Sequence, residues 1–225
     1  MSNGATTGDQ PRPGGTYGAA STVRSVRGMT SLLRLGAWCG VLSGSFIALP
    51  GAVEAFTGET APTSFVLGLS PALAVPLLMA LHLAQLRAAG RLGAVGFAVN
   101  VVGLGLFGGA AFTLNLALFY LDDAVVDDLA VQTRLALLGS AAVFVVGSVL
   151  FGLAMIRAKV HPRPAAWLYT VALPVFALAA PLPDSPLTSA VHVLVGATLV
   201  WLSVTLLDVR EGSEAWLPAA AASGH

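Results

Sequence analysis

Six long stretches of this chain contain no Asp, Glu, Lys or Arg: 35–53, 60–86, 92–121, 135–156, 164–183 and 185–207. Each is close to or above the roughly 20 apolar residues that a helix needs to cross a bilayer core of about 30 Å. Charged residues bound every stretch, as expected where a central Arg or Asp costs about 2.5–3.5 kcal/mol on insertion. In lipid the backbone must satisfy its own hydrogen bonds, which leaves helices or closed barrels. The runs are continuous rather than alternating, so the sequence predicts an all-α integral membrane protein.

The predicted helices lie near 32–54, 64–86, 92–121, 135–157, 164–183 and 186–208, within a transmembrane domain over 29–208. Pro164, Pro181 and Pro183 crowd the ends of the fifth and weaken it as a full span. Residues 1–28 hold almost no large apolar side chains and read as a disordered tail, and 209–225 as a short second tail. A signal peptide ending at Val53-Glu54-Ala55 would look similar, but the later spans favour an uncleaved first helix. Only 10% of residues are charged, against about 25% in soluble domains, and the mean hydropathy is +0.83.

Basic residues set the expected orientation. With the N-terminus inside, every one of the 11 basic residues except Arg134 faces the cytoplasm. The opposite side carries Glu54, Glu59, Asp122, Asp123, Asp127, Asp128 and Asp184. Both termini are therefore expected in the cytoplasm. One lysine among ten arginines, amid abundant Ala, Gly and Val, suggests a bacterial plasma membrane. A zero net charge offers no field to draw in nucleic acid. A single cysteine, Cys39, excludes an intrachain disulfide, and no cofactor or metal motif occurs.

Small residues mark expected packing faces. Gly36, Gly40 and Gly44 recur every four residues on helix 1, and Gly105 and Gly109 do so on helix 3. Such stripes let backbones approach closely, within one chain or in a homodimer or partner complex. Helices 2 and 5 each hold a central proline, Pro76 and Pro174, and small-residue stripes recur in helices 1 and 4. These echoes fit a weak 3+3 inverted repeat of the kind found in transporters.

Polar residues inside the bilayer are the candidates for function. His192, Asn100, Asn115 and Glu54 could line an interior polar path, and Asp122, Asp123, Asp127 and Asp128 a cation-attracting rim. Each also has a plainer role, as interhelical hydrogen-bonding groups or solvated interface. His82 and Gln85 read as interfacial. Two functions stay open: binding or transport of a small solute, cation or lipid, and an accessory protein that docks a partner through helix 1. Convergence of His192, Asn115 and Glu54 on one cavity would favour the first. An intramembrane hydrolase ranks behind both. Ser140 and His192 fall at comparable depth, as in rhomboid proteases, but the chain reads Gly139-Ser140-Ala141-Ala142 where that family has Gly-x-Ser-Gly.

Overall fold

A helix pairs its backbone groups within one segment except at its ends, and all the long elements of the described chain are helical, with no strand among the described residues. The computed structural model describes the backbone of residues 15–180, 182 and 185–222, and the side chains of 28–208 within them, Asp123 excepted. The elements are α1 (Gly15–Thr57), α2 (Ala61–Leu116), a 3-10 turn (Leu118–Tyr120), α3 (Asp123–Asp127), α4 (Val131–Ala158), α5 (Arg163–Ala179) and α6 (Pro186–Ala222). Helix reaches into both stretches that composition reads as tails, at 15–28 and 209–222. Once a helix is nucleated, each added residue contributes one more hydrogen bond. Residues group into two compact units, Met1–Leu32 and Leu33–His225, and the second builds the helix bundle.

Among the described residues, four helices are long and apolar enough to cross a membrane: Gly28–Thr57, Ala61–Tyr120, Val131–Ala158 and Pro186–Asp208. This differs from six separate predicted helices in two places. The second and third are joined without a loop, and α5 has only 17 residues. At 1.5 Å per residue α5 is about 25 Å long, short of a full hydrocarbon core.

The join in α2 is not a straight continuation. Gly90 has φ 55 and ψ −152, a backbone state that only glycine adopts without strain. The Ser64 hydroxyl lies 3.0 Å from the Asn115 carbonyl oxygen, although 51 residues separate them. An unbroken helix would hold those residues about 76 Å apart. The helix therefore folds back at Gly90 into two antiparallel legs, 61–89 and 91–116. Helix-forming Ala88, Ala89 and Leu92 keep both legs wound up to the single residue that reverses the chain.

Glycines set the other helix contacts. A methyl group added at Gly36 would lie 2.5 Å from the Pro76 carbonyl oxygen, and one at Gly44 would lie 2.5 Å from that of Gly196. At Gly40 it would strike Leu77 and Ser203. The stripe on α1 is thus covered by the first leg of α2 and by α6 of the same chain. The second leg meets α4 in the same way. A methyl at Gly103 would fall 2.6 Å from the Phe144 Cα, and one at Gly147 2.5 Å from the Asn100 Cα. Gly105 and Gly109, expected as a packing pair, instead face outward with nothing within 4 Å. The residues that pack this leg are offset from them, at Gly96, Asn100, Gly103 and Phe107.

Burial runs in the sense expected for lipid. Ser43, Gln85, Asn100, Ser148 and Ser203 are fully buried, whereas Leu49, Phe65, Val102, Leu106, Leu135 and Trp201 are exposed. So extensive an apolar exterior fits a membrane protein. Internal prolines are also accommodated. Pro71 cannot donate to the Leu67 carbonyl, and the Ser70 hydroxyl donates to that oxygen at 2.8 Å.

Three Gly→Ala variants separate backbone conformation from space. We expect Gly90→Ala to lose about 1–2 kcal/mol through positive φ alone, since nothing lies near its added methyl. Gly103→Ala should lose about 1–3 kcal/mol through collision with α4. Gly105→Ala should be neutral or gain up to about 1 kcal/mol of helix propensity. Unfolding in detergent reads all three, and equal losses at Gly103 and Gly105 would contradict this packing.

Candidate functional site

Glu54 falls one turn beyond Gly51 on α1, and at Gly51 the backbone of α1 packs against His192 of α6. Any side chain at Gly51 would collide with the His192 Cβ, so the missing side chain lets carboxylate and imidazole share one end of the bundle. Thr60 caps α2, with Thr63 completing a reciprocal capping box, and Glu59 immediately precedes that cap. The return leg of α2 brings Asn115 back to the same level. Ser64 ties these together: its hydroxyl lies 2.6 Å from Glu59 Oε1, 3.0 Å from the Asn115 carbonyl and 3.2 Å from Asn115 Oδ1. One hydroxyl proton serves three acceptors, and the short contact to the carboxylate is the strongest.

Beside them lies a cavity of about 460 Å³, lined by Glu54, Glu59, Asn115, Thr188 and His192 among its polar members. Small-molecule sites typically enclose about 300–1,000 Å³. The apolar wall includes Phe107, Phe119 and Phe176. Phe176 meets His192 edge to face at 5.0 Å and Phe107 at 5.9 Å, and Phe107 stacks on Phe144 at 4.8 Å. This aromatic chain leads from the cavity into a second pocket of about 40 Å³, which shares Ser70, Pro71, Phe107 and Phe176 with it. Leu77, Leu78, Leu104 and Leu173 make the small pocket apolar, so its few water-sized spaces stay dry. Tyr169 lies on its wall.

The imidazole of His192 has a defined tautomer. Its Nδ1 lies 2.7 Å from the Thr188 carbonyl, which can only accept, so Nδ1 carries the proton. In the neutral ring Nε2 is then an acceptor.

Among the sequence candidates, Glu54, Asn115 and His192 line this one cavity and Asn100 lines neither pocket. Asn100 is fully buried between helices, where its Nδ2 donates to the Tyr169 hydroxyl at 2.7 Å and its Oδ1 accepts from Ser148 at 3.3 Å. Asp122, Asp127 and Asp128 are exposed and do not line the cavity, and the Arg134 guanidinium donates to the Asp127 carbonyl. Asp123 belongs to α3, but its side chain lies outside the described residues. No group of three or more His, Cys, Asp or Glu able to hold a metal ion occurs among the described residues. Ser140 and His192 each bond a carbonyl of their own helix, at Leu137 and Thr188, rather than each other.

No family model, curated protein or solved structure matches this chain. Its site is therefore defined by its own geometry.

Sequence reasoning missed the three phenylalanines and Ser64. Nothing in an apolar run distinguishes a phenylalanine that lines a cavity from one that packs against a helix. Gln85, expected at an interface, is fully buried.

At the opposite end of the bundle, His161 lies in the short connection between α4 and α5 and is also buried. Its Nε2 donates to the Leu81 carbonyl at 3.3 Å. Burial holds its pKa below the ordinary histidine value, and the bond to Leu81 only partly offsets this. The folded state therefore binds fewer protons here than the unfolded state does. Its stabilising contribution is complete above the unfolded pKa of about 6.5 and is lost as pH falls through that region. We expect the unfolding temperature to drop between pH 7.5 and 5.5, and His161→Gln to flatten that drop. An unchanged slope in the variant would assign the pH dependence elsewhere.

Proposed function

We propose that this protein binds a small solute within the membrane, or carries it across, and takes that solute into the cavity lined by Glu54, Asn115 and His192. The observation that carries this reading is the convergence of three polar residues, from α1, the second leg of α2 and α6, on one cavity of about 460 Å³. Polar groups placed within a membrane domain are costly, which makes a shared cavity a reason for their presence.

In this reading the chain crosses a bacterial plasma membrane six times, with both termini in the cytoplasm and the cavity opening outward. The two legs of α2 count as separate crossings because they are antiparallel, and α5 makes a short one. The distribution of basic residues supports the orientation, with Arg134 alone on the outer side. Pro76 and Pro174 support an inverted 3+3 arrangement, in which sites lie at the interface of the halves.

The test is a thermal-unfolding screen of purified protein in detergent against cations, amines, lipids and quinones across pH 5 to 8. A ligand at about 100 times its Kd should add about 2.7 kcal/mol of apparent stability. We expect the shift to vanish in His192→Ala or Glu54→Gln and to persist in Asn100→Ala. A flat screen, or a shift indifferent to both cavity variants, would remove the cavity as the binding site.

A further inference from the structure

The end of the bundle opposite the cavity gathers basic residues from three helices. Gly90 reverses α2 between Arg87 and Arg91, which leaves one arginine on each side of the turn. The close approaches of Gly96 to Leu150 and Phe151, Gly147 to Asn100 and Gly103 to Phe144 run the second leg antiparallel to α4. Carried on, that register sets Arg91 level with Arg157. Lys159 closes α4 in the left-handed conformation with φ 55, and the buried His161 that follows reaches the Leu81 carbonyl at 3.3 Å. This contact holds Arg163, the first residue of α5, at the same end. Arg87, Arg91, Arg157, Lys159 and Arg163 are all exposed. Among the described residues, Asp208 on α6 is the one acidic side chain at this end.

The surface just below these cations is apolar. Val95 follows Arg91 by four residues and Trp167 follows Arg163 by four, so each shares a helix face with its arginine, one turn farther from the end. Both are more than half exposed, as is Leu86 beside Arg87. An exposed cation with an exposed apolar side chain one turn below it matches a molecule with an anionic head and a hydrocarbon body. Tryptophan also favours the headgroup level of a bilayer. A soluble anion would use the cations but gain nothing from the apolar residues below them.

We propose that this end of the bundle binds anionic phospholipid, with headgroup phosphates on the exposed arginines and acyl chains against Val95 and Trp167. The surface lies away from the solute cavity and needs only that the chain spans a bilayer.

Thermal unfolding of the full chain in detergent, titrated with dioleoylphosphatidylglycerol or dioleoylphosphatidylcholine, measures the affinity for each lipid. We expect phosphatidylglycerol to bind about tenfold more tightly, and raising KCl from about 0.1 to about 0.5 M to remove most of that preference. Arg91→Gln and Arg157→Gln should each weaken phosphatidylglycerol about fivefold and leave phosphatidylcholine unchanged. Arg134→Gln, at the other end, should change neither. Trp167→Ala should weaken both lipids, and glycerol phosphate, which has the phosphate but no acyl chain, should bind about tenfold more weakly than phosphatidylglycerol. Should the arginine variants fail to fold, the comparison of the two lipids on the parent protein and its salt dependence decide alone. Equal binding of the two lipids, or a preference that Arg91→Gln and Arg157→Gln both keep, would overturn the proposal. Glycerol phosphate binding as tightly as phosphatidylglycerol would overturn the lipid and leave a site for free anions.

Discussion

In lipid no hydrophobic force draws one helix to another, so this bundle holds together where backbones come close enough for dispersion and polar contacts to act. Glycine makes that approach possible. Gly36, Gly40 and Gly44 seat α1 against the first leg of α2 and α6, and Gly103 and Gly147 seat the second leg against α4. Several of these contacts are to backbone atoms, which cannot swing aside as a side chain would. The same device reaches the cavity through Gly51, whose contact with His192 fixes the distance between α1 and α6 at that end.

Close seams leave little tolerance for unpaired polar groups, and the bundle deals with them locally. Ser43 donates to the Ser70 carbonyl across the α1–α2 seam, and Asn100 joins Tyr169 and Ser148 across three helices. Many hydroxyls bond back to a carbonyl three or four residues earlier, as Thr170 does to Ala166 and Ser203 to Leu199. Such local bonding consumes donors, as at the cavity wall, where Thr188 donates to the Ser185 carbonyl.

Gly90 gives the clearest contrast between local and distant information. Arg87 and Arg91 mark a boundary between two apolar runs in the sequence, and Gly90 sits between them. Nothing local says that a single residue will reverse the chain with helix continuing on both sides. That outcome follows from the pairing of the legs, in which Ser64 meets Asn115 and an added methyl at Gly108 would touch Pro71. Helix 3 shows the limit of spacing as a guide. Gly105 and Gly109 have the ideal interval for a packing face, yet the leg turns that face outward and packs through Gly96 and Gly103. A four-residue interval identifies a smooth stripe, while the neighbours on offer decide which stripe is used.

By itself the sequence determined the helical class, the positions of most apolar helices and the short list of polar residues worth following, because each depends on hydropathy and charge along the chain. Glu54, Asn115 and His192 could be named for that reason. Only the tertiary structure decided that these three share a cavity while Asn100 does not, since helix rotation and inter-leg register depend on contacts between residues far apart in the chain. It also decided that phenylalanines indistinguishable in sequence from their neighbours line the site. Those properties belong to pairs of surfaces, and a surface acquires its partner only when the chain has folded.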